Sequence, residues 1–566
     1  MCFVGILSDY KEYKKFEPQY ENWKIEKDTV EAKRLKYLKN FNIDYKTKQE
    51  SIQKGKVVLR AIDVMDEYSQ SRAEDTEIIT DQMKSQVGFY SAMVGAIPGG
   101  LFLASETGKN FVKTLCAKFP KVKQGTFFQL LGGVFTFIPI FISFAFMEAW
   151  ASKKEVEASK KGRLEAMKKE LSDARNFAVL NEDQKAKVEE IAANMPVTKD
   201  MKKGTRAKNS NMLNPFDGLK LTLDMFKSSN LQKERDAFNE ALTKNEDKNK
   251  ILTEKDIEDA KKDQQLLHNV VEKIDMASQD YSENAELAIS AFSTILLAGG
   301  SLVTLALDKI MNTSFVKNLP KGLQNRLLSF IPLAASIGLA VYTSNVQKEA
   351  SRVGRYLAKK ELEKDLDNFI YVDDEKAKNI KINDIKQKKK PGFFKFLTQV
   401  FKDHKEYKNY IKNENVENIK KQRALKGIEL TPDQLKEAKR LQKNTFKIFD
   451  KLDEKSQKYS ESTEAFGNIV FYPILTVCSM IGTSIGMLFA KINKGKTDIK
   501  VLKETEKIAH ISRASLPIFI GSVLGAIPAI IANTYITKQQ KQASRVAHML
   551  ALDEMKDYKN YADYNK

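Results

Sequence analysis

Cysteine is nearly missing from this chain. Cys2, Cys116 and Cys478 lie far apart in unlike contexts, so neither a disulfide framework nor a cysteine metal site follows. Histidine is as scarce. His268, His404, His510 and His548 have no HExxH or CxxC neighbours, and no metal or other cofactor is expected. Phosphate-cradling GxxxxGK[ST] and GxGxxG loops and the GxSxG nucleophile turn are absent as well. No residue has a claim to catalysis, and the chain is expected not to be an enzyme. Alternating strand patterns do not occur at any length, which leaves an all-α fold. The N-terminus, MCFVGILSDYKEYKKF, has too short an apolar run for a signal peptide and no basic stretch before it.

Charge is abundant, and lopsided. Lys and Arg number 94 against 74 Asp and Glu, a formal charge of +20. Such a surplus suits nucleic acid or an anionic membrane surface. Zinc-finger spacing and aromatic–basic RNA-binding signatures are lacking, so no nucleic acid is expected.

The apolar residues are bunched. Six stretches, near 86–104, 126–148, 287–307, 327–343, 465–490 and 514–536, carry almost no charge, and about 20 apolar residues suffice for a helix to cross the hydrocarbon layer. They fall in pairs, with short turns within a pair and long charged arms between pairs. The reading is a polytopic membrane protein of three tandem repeats, each a charged helical arm plus a two-helix transmembrane hairpin. Arms occupy 1–85, 149–286 and 344–464, the latter two with linkers. Hairpins occupy 86–148, 287–343 and 465–536, and 537–566 is a helical tail. Lys and Arg are about as dense in the turns as beside the arms, so charge gives no orientation. The arms are placed in the cytoplasm because they are large, charged and free of disulfides.

The repeat is written into the motifs. Before each hairpin runs an acidic Ser-Gln segment: Asp66, Ser69, Gln70, Glu74 and Glu77, then Asp275, Ser278, Gln279, Glu283 and Glu286, then Asp453, Ser456, Gln457, Glu461 and Glu464. We read it as the approach of a helix N-terminus to the membrane, where negative charge suits the dipole. After each hairpin comes a basic motif: EASKKGR ending at Arg163, EASRVGR with Arg352 and Arg355, and QASRVAH with Arg545. Its candidate roles are contact with lipid phosphates or a solvated helix face. Asn176-Phe177, Asn368-Phe369 and Asn560-Tyr561 follow. LTEKDIEDAKK at 252–262 matches LTPDQLKEAKR at 430–440; Thr253 with Asp256 and Thr431 with Gln434 have capping-box spacing.

Two further sets of residues stand out. Phe393, Phe394, Leu397 and Phe401, with Val400, fall on one helical face after KKKPG. That face suits a helix lying in the membrane interface, or one packed on its own arm. Its tail, DHKEYK, matches DYKEYK near the N-terminus, and its core matches LKLTLDMFK at 219–227. Ser91, Gly95 and Gly99, Gly482 and Gly486, and Gly521 and Gly525 stand four apart, the spacing that lets helix backbones approach closely.

Repeated surface motifs without buried chemistry point to a membrane scaffold or anchoring protein. Its basic arms would meet lipid headgroups or partner proteins. A channel or small-solute transporter with a pore between the repeats, and a membrane-bending hairpin protein, are the alternatives.

Overall fold

The computed structural model describes residues 3–41, 43–118, 124–198, 231–244, 250–311, 349–382, 392–463 and 538–564, with a few isolated positions between them. Helices dominate. In chain order they are α1 (Phe3–Asn40), α2 (Tyr45–Ala104), α3 (Glu106–Lys118), α4 (Gln124–Lys169), α5 (Glu182–Asn194), α6 (Leu231–Thr243), α7 (Glu254–Met311), α8 (349–364), α9 (Phe393–Ala424), α10 (Pro432–Ser456) and α11 (538–554).

Local chemistry fixes where the arm helices begin. Asp44 caps α2 by accepting from the Thr47 amide at 3.1 Å. Thr253 and Asp256 exchange bonds reciprocally, at 3.1 and 3.2 Å. Thr431 and Gln434 do the same, at 3.0 and 3.2 Å. Both boxes expected from the spacing are therefore formed, and Asp44 with Thr47 fills the same place in the first copy. Burial then holds the arms. Leu267, Val270, Val271 and Ile274 form a stripe on α7 that is at most 2 % exposed. Leu441, Ile448 and Phe449 do likewise on α10, and Leu59, Ile62 and Met65 on α2. Each such side chain contributes about 1.5–3 kcal/mol on leaving water. All three stripes join one core.

The three copies share a plan. In each, an arm helix (α2, α7 or α10) is answered by a returning helix (α4, α8 or α11), which leads into a 3-10 turn with aspartate at its N-cap position; the side chains of Asp173 and Asp557 cap theirs, and that of Asp365 does not. The turns are Ala174–Phe177, Leu366–Phe369 and Tyr558–Tyr561. The first hairpin can be followed far beyond the core. Along α2 and α4, Tyr68 bonds Glu170, Ser69 bonds Ser159, Thr80 bonds Glu155 and Ser91 bonds Ser143, the descending order of an antiparallel pair. α2 has 60 residues, about 90 Å of helix at 1.5 Å per residue.

The expected polytopic membrane protein, and with it the integral-membrane placement of cytoplasmic arms, is corrected here. Among the described residues, no helix is long and apolar enough to cross a membrane. Along the described part of α2 the run at 86–104 is sorted by face rather than wrapped in one environment. Gly95 and Gly99 are buried, while Val94, Ile97 and Leu101 lie on the opposite, exposed face. Stretches 126–148 and 287–307 fall within α4 and α7, where most side chains lie outside the described residues. Stretch 327–343 lies outside them altogether, as does nearly all of 465–490 and 514–536.

Candidate functional site

The repeated motifs converge where the three copies meet. Arg163 on α4 bonds Asp453 on α10 at 2.6 Å and Asp66 on α2 at 3.2 Å. Arg355 on α8 lies 3.4 Å from Asp66, and His548 on α11 lies 3.4 Å from Asp275 on α7. The three acids are aligned positions of the acidic motif. The three bases are aligned positions of the basic one. The base of the first copy reaches the acid of the third, the second reaches the first, and the third reaches the second. That cyclic order closes a pseudo-threefold ring.

Burial shapes its electrostatics. It pushes the Asp66 carboxyl above the ordinary carboxylate range, against the pull of Arg355 and Arg163. It raises Asp453 too, although Arg163 opposes it. Burial would also raise Asp275, but the hydrogen bond and charge of His548 hold it below the ordinary value.

A second tier follows the same order. Gln70 donates to Ser351 at 3.3 Å, and Gln279 to Ser544 at 2.9 Å. Arg352 sits 2.7 Å from Glu74. Arg545 sits 2.6 Å from Glu283. The aromatics after the returning helices obey it as well. Phe177 meets Phe446 edge-on at 5.7 Å, and Tyr561 meets His268 with its hydroxyl 2.8 Å from Nε2. Burial depresses His268 well below the ordinary histidine value.

The opening helices clasp the seams. α9 lays Leu397, Val400 and Phe401 on Ala285, Ile289, Val346 and Ala350 of the second hairpin. α1 lays Tyr13 and Tyr20 on Ala543, Val546 and Ala547 of the third. The matching segment at 219–227 lies outside the described residues.

The expected site residues are thus distributed as follows. Arg163, Arg352, Arg355 and Arg545 lie in the seams, buried or half-buried, each against carboxylates of another copy. The acidic motifs lie mid-helix rather than at an N-terminus, and they are the partners of those bases. Leu397 and Phe401 face protein rather than a membrane interface; the side chains of Phe393 and Phe394 lie outside the described residues. Ser91, Gly95 and Gly99 turn toward α4, as helix packing requires. Gly482, Gly486, Gly521 and Gly525 lie outside the described residues.

Sequence reasoning missed a cavity of about 660 Å³ in the seam between the first and second copies. Its walls come from α2, α8 and α9, and include Asp66, Gln70, Arg352, Tyr356, Lys359 and Tyr410. Tyr356 and Tyr410 approach at 4.7 Å, and Lys359 is held between Asp63 and Tyr410. Among the described residues, no group of three or more His, Cys, Asp or Glu side chains is placed to hold a metal ion. Compared with family models, curated proteins and solved structures, the chain matches none.

Proposed function

We infer that the chain is a non-catalytic scaffold whose helical body is held against an anionic lipid surface by the end of its first hairpin. One observation carries this reading. Tyr90, Val94, Ile97 and Leu101 are 65, 67, 57 and 69 % exposed, and their spacing puts them on one face of α2. A contiguous apolar face left in the open marks a site of interaction. Beyond it, α3 adds exposed Phe111 with exposed Lys109, Lys113 and Lys118. Lysines beside an apolar stripe match the negative headgroups and the hydrocarbon beneath them. Contact at the interface suffices, and no helix need cross. The ionic ring supports a structural body rather than a reactive centre, because its acids and bases are engaged with one another.

The test is sedimentation of the full chain with vesicles of neutral lipid and of mixed neutral and anionic lipid. The wild type is expected to co-sediment with the anionic vesicles. Replacing Val94, Ile97 and Leu101 together by Ser should release it while leaving the circular dichroism and melting temperature unchanged. Wild-type protein that stays in the supernatant with both vesicles, or a triple variant that binds as well as wild type, would overturn the reading. The stripe would then belong to a protein partner.

A further inference from the structure

The seam between the first and second copies differs from its neighbour in one respect: it is hollow. At the seam between the second and third copies, α1 drives Tyr20 and Trp23 inward against Met276. Tyr20 is 1 % exposed and its hydroxyl lies 3.6 Å from the Met276 sulfur. The aligned positions at the hollow seam are Glu414 and Glu417 on α9 and Glu67 on α2. Tyr20, Trp23 and Met276 thus have no apolar counterparts in the sequence of this seam, and Glu67, which stands in line with Met276, borders the cavity of about 660 Å³. It falls within the roughly 300–1,000 Å³ of small-molecule pockets. It reaches the surface at Lys56 and Asn418, both exposed.

Its walls carry unmet hydrogen-bonding capacity of two kinds. Arg352, only 4 % exposed, has Nε, Nη1 and Nη2 without a hydrogen bond, although Glu74 and Glu67 lie 2.7 and 3.6 Å away. Arg545, its counterpart at the filled seam, donates to both Asp280 and Glu283. Close by, Gln70 Oε1 is a buried acceptor without a hydrogen bond, and so is Asp66 Oδ2, which Arg355 Nε approaches to 3.4 Å as an ion pair. Buried polar groups short of hydrogen bonds are costly, and these three residues line one cavity. A guanidinium fork that is ion-paired yet makes no hydrogen bond through Nε, Nη1 or Nη2 keeps directional donors for an anionic, tetrahedral or planar oxygen cluster. Acceptors beside it suit hydroxyls. Tyr356 and Tyr410 give the cavity a ring-lined wall.

We propose that this cavity binds a phosphorylated polyol, with Arg352 on the phosphate and Gln70 and Asp66 accepting from its hydroxyls. The same chemistry occurs in a free sugar or polyol phosphate and in the headgroup of a phosphorylated inositol lipid. The inference does not depend on the lipid contact of α2, which lies elsewhere on the molecule.

Calorimetric titration of the full chain tests it, with glycerol phosphate, inositol monophosphate, inorganic phosphate and unphosphorylated inositol as probes. Vesicles of neutral lipid doped with phosphatidylinositol phosphate form a second arm. Saturable binding of a polyol phosphate, at least about tenfold tighter than inorganic phosphate or inositol, is expected, a difference of about 1.4 kcal/mol. Binding confined to the doped vesicles would assign the ligand to the lipid. Arg352→Lys should weaken binding about tenfold or more by removing the fork. Val64→Phe fills the cavity from its wall and should abolish binding without lowering the melting temperature, which keeps the test decisive if Arg352→Lys misfolds. Arg545→Lys, at the filled seam, should bind like wild type. No saturable binding in either arm, binding indifferent to Val64→Phe, or equal loss in Arg545→Lys would overturn the proposal.

Discussion

His268 occupies a position that holds Leu59 in the first copy and Phe446 in the third. Two apolar residues and one histidine serve the same interior place, and the histidine is tolerated because Tyr561 of the third copy supplies its partner at 2.8 Å. Burial is the main cause of its depressed proton affinity, with Lys27, His548 and Arg34 adding to it. Folded His268 is therefore neutral, whereas the unfolded chain takes up a proton near pH 6.5. Its contribution is complete above that pH and is lost as the pH falls through it, because the unfolded state then binds the extra proton. His268→Phe should cost about 1 kcal/mol at neutral pH, from the orphaned Tyr561 hydroxyl. Yet its melting temperature should fall less steeply than wild type below pH 6.5; parallel pH profiles for the two proteins would contradict this. At this scale the sequence is a partial guide. Arg163, Arg355 and Asp66 stood out because they recur. Their role did not, since a motif repeated on three helices does not say which helix each side chain will reach.

Among elements, the first two hairpins owe their closeness to one glycine each. A Cβ added at Gly162 of α4 would stand 2.4 Å from the Tyr68 carbonyl oxygen on α2, and one at Gly354 of α8 would stand 2.9 Å from the Ser278 Cα on α7. Both clashes are with backbone, which cannot swing aside. The third copy has Ala547 at that place, 1 % exposed, so its helices have made room for a methyl group. Gly162→Ala is expected to lower stability by about 1–3 kcal/mol through overpacking. Ala547→Gly should cost about 0.5–1 kcal/mol from helix propensity alone. Chemical denaturation of the two variants measures both, and a neutral Gly162→Ala would refute the close approach. The helices, both capping boxes and the continuation of α4 into a charged arm were readable, because caps and helix formers act within a few residues. The stretch at 86–104 was misread as spanning because hydropathy along a chain does not register which face is covered. Along α2, Gly95 and Gly99 serve a neighbouring helix while Val94 and Leu101 do not. The hollow seam was unreadable for a related reason: Glu67 borders it where the aligned copy has Met276, and absence of bulk shows only against an aligned copy that has it.

For the whole molecule, threefold repetition could be read from motif order, but the ring could not. Periodic motifs are equally compatible with a row of independent hairpins. What excludes a row is the pairing of first with last: Arg163 of the first copy with Asp453 of the third, and Tyr13 of α1 with Gln539, at 3.0 Å. The ring also means that every copy completes its neighbour. His548 of the third copy finds its carboxylate in the second, and Arg355 of the second finds its carboxylate in the first. Each of these bonds joins residues that lie outside 199–230 and 383–391. A polypeptide nicked within 199–230 and again within 383–391 should therefore remain associated, and three fragments co-expressed from those boundaries should reassemble into one particle of intact mass by size-exclusion chromatography with light scattering. Any one fragment alone should be aggregation-prone, since its arginine or histidine would bury without the carboxylate that another strand of the assembly supplies.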